Sequence, residues 1–147
     1  MEIRENSTIE DAILVHSQID EFDQHNNLTD YFLHRLNGKQ HLILVAYTNE
    51  AIPVGYLVCY DRYNDNVSFY IWLAGVLEQY RHQNILKQLM TYAERWIKQN
   101  GFTKAVIKTR NQFKNMILYL VKYDYKFIEI EKKADIKDNR LILEKLL

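Results

Sequence analysis

The sequence predicts a mixed α/β (α+β) fold: a mostly antiparallel sheet of about seven strands with helices on both faces. Three observations carry this. Apolar runs with strand and helix periods alternate in the order β-α-α-β-β-β-α-β-α-β-β. Three consecutive strand runs are joined by hairpin-length links, which makes them an antiparallel meander. The last strand of that meander reaches the next strand through a helix, so those two lie parallel.

"MEIR" reads as a first strand. Ser7-Thr8-Ile9-Glu10 is a capping box that starts a helix at Ser7, with Ile9, Ala12, Ile13, His16 and Ile19 along one face. His16 on that face reads as a hydrogen-bonded histidine at the core edge. Thr29 caps a second helix, "DYFLHRLN", which stops at Gly38. The meander strands are "HLILVAY" (41–47), "VGYLVCYD" (54–61) and "VSFYIWLAGV" (67–76). In the last of these, Trp72-Leu73-Ala74-Gly75-Val76 breaks alternation as a β-bulge does. The long helix that follows places Ile85, Leu89, Tyr92, Ala93, Trp96 and Ile97 on one face and ends at Asn100-Gly101. "KAVIKT" (104–109) is a strand, about Gln112 to Lys122 a helix, and "KFIEIE" and "RLILEKL" are the closing strands.

With 147 residues, 48% of them hydrophobic and 26% charged, the chain reads as one domain spanning 1–147. A net charge of zero argues against broad attraction to nucleic acid or to an anionic membrane. No apolar run approaches the ~20 residues of a membrane span. The start of the chain lacks an export pattern, so a cytoplasmic location is expected. The single Cys59 excludes an internal disulfide and, within "GYLVCY", reads as a buried thiol. The five His lack metal-ligand spacing, so no metal is expected.

The stretch "GVLEQYRHQNILKQLM" (75–90) joins a strand to a helix in the manner of a phosphate-binding loop, whose helix start offers free N–H groups. Glycine serves such a loop by clearance and access to positive φ, yet those positions hold Asn84 and Leu86. Asn84 tolerates positive φ, and Leu86 must turn into the core with Leu89 and Met90. On the second long helix, Phe113, Met116, Ile117 and Leu120 form the apolar face. Tyr119 lies about 110° from its centre, sharing a flank with Asn115. Periodicity alone favours a Tyr119 half-packed on the sheet with its hydroxyl in water.

Together these segments resemble the GNAT superfamily of acyl-CoA-dependent N-acyltransferases, most sharply from Tyr70 to Tyr125. The family's pyrophosphate motif falls on Arg81-His82-Gln83-Asn84-Ile85-Leu86, and a second segment falls on Asn111, Asn115, Tyr119 and Asp124-Tyr125. The resemblance implies acetyl-CoA as co-substrate, an amine acceptor as partner and direct transfer between them. It assigns the pyrophosphate to backbone N–H groups from Arg81 to Leu86, with an added bond from the Arg81 side chain, and pantetheine to the backbone of Leu73 and Val76. Val76 N–H then polarises the thioester carbonyl, and Tyr119 protonates the departing thiolate. A phenol near ~10 against a thiol near ~8.5 makes that donation feasible. No general base stands out; Glu78, Asp61 and Asp65 are nearest in sequence. The acidic "DEFD" (20–23) with Tyr31 and Phe32 is a candidate pocket for a cationic amine. A homodimer is compatible with this reading. The alternative is the same fold kept as a CoA-binding or protein-interaction module without turnover, favoured by the glycine-poor loop.

Overall fold

In the computed structural model, which describes residues 1–5 and 8–147, the predicted element order is realised throughout. The strands are β1 (Glu2–Glu5), β2 (His41–Tyr47), β3 (Pro53–Tyr60), β4 (Ser68–Val76), β5 (Lys104–Arg110), β6 (Lys126–Glu131) and β7 (Arg140–Leu146). The helices are α1 (Ile9–Ser17), α2 (Leu28–Leu36), α3 (Ile85–Gln99) and α4 (Lys114–Lys122). All seven strands form one sheet in the order β1-β2-β3-β4-β5-β7-β6. Among the described residues only β4 and β5 pair in parallel, as a helical crossover requires; the other five pairings are antiparallel.

Some local expectations are corrected. The cap of α2 is Asn27, whose side chain accepts the Asp30 N–H at 3.0 Å, so the helix starts before Thr29. Helix α4 begins at Lys114 because Phe113 has non-helical backbone (φ −86°, ψ 70°). The buried face of α1 is Ala12, Val15 and His16, with Ile13 only partly covered. The Ser7 end of the expected capping box lies outside the described residues, and Thr8 occupies the cap position of α1.

Adjacent residues of β3 show how the two faces are used, since neighbouring side chains point to opposite sides of a sheet. Gly55 lies under α3: a Cβ there would sit 3.0 Å from Ile85 and 3.3 Å from Leu89. Tyr56 points the other way, and its hydroxyl bonds His16 of α1 at 2.5 Å. Opposite Tyr56, Gly75 of β4 permits the end of α1 to settle on the strand; a Cβ there would come within 2.6 Å of Ile19 and 2.8 Å of Phe22. The two in-strand glycines therefore seat α3 against the first residues of β3 and the end of α1 against the last residues of β4.

His16 is 3% exposed and bonded at both nitrogens. Nε2 contacts the Asp23 carbonyl at 3.1 Å, and a carbonyl only accepts, so Nε2 carries the proton and Nδ1 accepts from Tyr56. Burial lowers the His16 pKa below its ordinary value, consistent with this neutral form. The imidazole thus ties α1 and β3 to the α1–α2 connection.

Two outcomes follow from this packing. Gly75→Ala should destabilise the chain by about 1–3 kcal/mol through overpacking against Ile19 and Phe22, read from denaturant midpoints. His16 is neutral in folded and unfolded chains above its ordinary pKa of about 6.5; below it the unfolded imidazole binds a proton that the folded one resists. Stability should therefore fall as pH drops through about 6.5, the ordinary imidazole value, and His16→Gln should flatten that slope whatever its absolute stability.

Candidate functional site

The site begins where β4 and β5 part. Their pairing runs from Ser68–Lys104 to Ile71–Ile107 and stops, although β4 continues to Val76 and β5 to Arg110. The cause is visible on the other edge of β4. The register with β3 shifts between Val58 and Cys59, which leaves Trp72 as an extra residue facing no partner. The expected bulge is therefore centred on Trp72, and from there β4 follows β3 and leaves β5.

Alternation decides which backbone groups face the split. Leu77 N–H bonds Val54 O at 2.9 Å, so Leu77, Gly75 and Leu73 turn their backbone groups towards β3. Val76 and Ala74, on the opposite phase, turn theirs towards β5. The Val76 carbonyl agrees with this, since its bond comes from a side chain, Arg81 Nε at 3.0 Å. Val76 lies on the expected edge. Leu73 does not, because the bulge inserts a residue and shifts the phase; Ala74 takes its place.

The Arg81–Leu86 loop turns as a phosphate loop does without a single glycine. His82 (φ 64°) and Asn84 (φ 62°) adopt left-handed backbone, and Asp124 (φ 74°) does so at the third glycine-type position. Asn84 caps the 15-residue α3 without a side-chain bond. Among the described residues, the backbone N–H groups of Gln83, Asn84, Ile85, Leu86 and Lys87 have no acceptor, so they are open at the positive end of the helix dipole. Ile85 is buried, and Leu86 is half-buried against the core, which leaves the loop's outer side clear. A groove of about 460 Å³ adjoins the loop, with Asn84, Lys87, Gln88, Thr91 and Arg95 among its lining residues.

Arg81 is engaged differently from expectation. Beyond Val76 O, its guanidinium bonds Glu21 Oε2 at 2.9 Å. It thereby braces the end of β4 against the α1–α2 connection. Arg110, the last residue of β5, pairs with Asp23 of the same connection, and this hydrogen bond holds the Asp23 carboxyl below its usual range. Two of the three carboxylates in "DEFD" are thus already paired. Asp61 is likewise turned to local backbone, its side chain taking Asn64 N–H at 3.0 Å.

Tyr119 is partly buried on α4, its ring 4.6 Å from that of Tyr123. Burial first, then the charge of Glu94, pushes its pKa well above the ordinary phenol value. The hydroxyl is therefore always protonated. Complete transfer to a thiolate becomes more uphill than the ~1.5 units separating a free phenol from a free thiol, so Tyr119 is suited to donate a hydrogen bond rather than surrender the proton. Lys87, which the sequence reading missed, reaches from the first turn of α3 over the Tyr123 ring at 5.2 Å. A lysine one residue past the loop was the available signal. Asn111 is a structural tie: its N–H and Nδ2 bond the carbonyls of Asn139 (2.9 Å) and Ile136 (3.2 Å) in the β6–β7 link. Asn115 is exposed and one turn from Tyr119.

This geometry has close counterparts. The chain aligns over 99% of its length with a GNAT family acetyltransferase from Elizabethkingia anophelis with acetyl-CoA bound, at 97% coverage of that chain, 19% identity and TM-score 0.76. Ard1 from Thermoplasma volcanium matches at TM-score 0.79 and 17% identity, over 99% and 97% of the two chains. An aminoglycoside 6'-N-acetyltransferase complexed with coenzyme A matches at 0.77 and 13%, again over 99% and 97%. Among curated proteins no sequence match was found. The sequence model of the acetyltransferase (GNAT) family matches residues 8–123, well over half of the chain. The chain therefore belongs to the GNAT family and is an acyl-CoA-dependent acyltransferase.

Proposed function

We propose that this protein transfers an acetyl group from acetyl-CoA to a primary amine of a small molecule or peptide by direct attack. The observation that carries the reading is the split between β4 and β5, which opens beside a helix start with unbonded N–H groups. A pantetheine arm laid along the free edge of β4 would take the backbone groups of Ala74 and Val76. The pyrophosphate would rest on the N–H groups of Gln83 to Leu86, where charge-assisted bonds from backbone donors do not depend on side-chain identity. Lys87 and Arg95 make the adjoining groove suitable for the phosphorylated nucleotide end.

In the reaction the neutral amine nitrogen attacks the thioester carbonyl carbon. Val76 N–H stabilises the oxyanion that develops on the carbonyl oxygen. The C–S bond then breaks, the Tyr119 hydroxyl donates a hydrogen bond to the departing sulfur, and the proton released by the amine leaves through water. None of Asp61, Glu78 and Asp65 is needed as a base. Asp65 accepts Val67 and Ser68 N–H at 2.9 and 2.8 Å, and these bonds lower its pKa, so it is a poor proton acceptor.

Acetyl-CoA at 100 times its Kd should stabilise the folded chain by about 2.7 kcal/mol, measured by thermal shift or calorimetry. Leu86→Gly should keep that binding, because the loop's outer side is already clear. Absence of any stabilisation by acetyl-CoA overturns the transferase reading. Tyr119→Phe should lower kcat by roughly 10²-fold, the scale for losing one aimed hydrogen-bond donor, while the KM for acetyl-CoA changes little, because the donor acts only as charge develops on sulfur. Near-full turnover in that variant would mean that water stabilises the leaving thiolate.

A further inference from the structure

Strand β4 runs through the middle of the sheet, yet Trp72 and Leu73 are both partly exposed at the bulge. On the side covered by α2, Trp72 is the hub of an aromatic group. Its ring lies 5.4 Å from Tyr31, 5.2 Å from Phe32 and 5.9 Å from Tyr60, and Tyr60 continues to Tyr70 at 5.7 Å. Arg35 of α2 sits over this group, its Cζ 4.8 Å from the Trp72 centroid and 5.5 Å from that of Tyr31. Its polar contacts are two long ones: Nη1 to Tyr60 Oη and Nη2 to Tyr31 Oη, both 3.4 Å.

What Arg35 lacks is an anion. Among the described residues no carboxylate pairs with it, whereas Arg81 and Arg110 at the end of the split are paired with Glu21 and Asp23. Two more cations share the aromatic group without a carboxylate among the described residues: Lys39 Nζ lies 5.1 Å from the Tyr60 centroid, and Arg62 Cζ lies 4.7 Å from that of Tyr70. The carboxylates of Asp61 and Asp65 beside Arg62 in sequence are used by their own loop. Burial pushes the Tyr70 phenol up to about 12, so no tyrosinate neutralises the group. A half-buried guanidinium has given up part of its hydration, and two long bonds to neutral hydroxyls return little of that cost. Its planar fork matches a carboxylate, the partner that is missing. A polycationic acceptor would meet three positive charges here.

We propose that Arg35, seated on the rings of Trp72, Tyr31 and Tyr60, selects an acceptor amine that also carries a carboxylate. This rests on the reading of the β4–β5 split as the site of acetyl transfer. Position constrains the acceptor further. Val76 lies four residues beyond Trp72, roughly 13 Å along the strand. Allowing about 3 Å for the carboxylate's bond to Arg35 and about 3 Å for the bond from Val76 to the thioester oxygen leaves roughly 7 Å to be spanned by the acceptor from its carboxylate to the attacking amine. An α-amino acid, with both groups on one carbon, is too short. The carboxylate is that of an ω-amino acid or of an acidic side chain near a peptide's free N-terminus.

The test uses the full chain, acetyl-CoA, release of free CoA thiol as readout, and matched acceptors with and without the carboxylate. The pairs are ω-aminohexanoate with hexylamine and lysine with cadaverine; a peptide with glutamate second is set against its glutamine analogue, and alanine is the short control. The carboxylated member should be preferred in kcat/KM by roughly 10–10², the span expected for a charge-assisted pair. Arg35→Met should abolish that preference by raising KM for the carboxylated acceptor alone, with kcat and the KM for acetyl-CoA unchanged. Arg35→Lys keeps the charge but loses the fork and should retain part of the preference; it carries the test if Arg35→Met does not fold. The free-acid and peptide arms tell the two sources apart. Equal or better use of carboxylate-free amines, a preference for alanine, or a preference that survives Arg35→Met overturns the proposal. If acetyl-CoA binds but no carboxylated amine adds a thermal shift to the acetyl-CoA-loaded chain, the acceptor assignment fails alone. If acetyl-CoA itself does not bind, the underlying transferase reading fails with it.

Discussion

Parallel pairing between β4 and β5 ends at Ile71–Ile107 while both strands run on, and the geometry of the site depends on that interruption. A strand has two hydrogen-bonding edges, and a regular β4 would spend both on its neighbours. The extra residue at Trp72 turns the rest of the strand with β3, so β5 no longer reaches it. A row of backbone donors and acceptors is left without a strand partner inside the sheet rather than at its rim. Such groups are costly when buried without partners, so an opening of this kind has to be lined by water or ligand.

The opening is held from one side by the α1–α2 connection. Ion pairs fasten this connection to the ends of both strands, Glu21 to Arg81 after β4 and Asp23 to Arg110 of β5. Exposed pairs of this kind contribute little stability individually. The firmer attachments are the buried His16–Tyr56 bond and the close approach of Ile19 and Phe22 to Gly75. Packing sets the position of the connection, and the ion pairs tie together the two strand ends that diverge.

The glycine-poor loop is explained by how the chain uses the few glycines it has. Gly55 and Gly75 allow helices to approach strands, while Gly38 (φ 71°) and Gly101 (φ 92°) end helices. The left-handed positions of the pyrophosphate-type loop go instead to His82 and Asn84, and the turn after α4 to Asp124. After glycine, asparagine and aspartate are among the residues that enter this backbone most readily. Leu86 costs nothing in clearance because it is the second residue of an amphipathic helix and points inward.

The order of elements, the parallel step from β4 to β5, the bulge and the helix start at Asn84 were legible in the sequence, because each depends on local periodicity or on a short connection. The family was legible for the same reason, being carried by motifs of contiguous residues. The Leu73 phase was not, because one inserted residue reverses which backbone edge faces the gap, and alternation of side chains does not reveal where it is inserted. Nor was the engagement of Arg81, whose partner Glu21 is 60 residues away. The same holds for Arg35: the sequence contains the arginine, but only tertiary packing shows that Tyr31, Tyr60 and Trp72 lie against it and that no carboxylate among the described residues pairs with it. Local sequence determined which elements form and how the chain turns between them. Which charges meet, and which are left without a partner, was decided by the packing of elements distant in sequence.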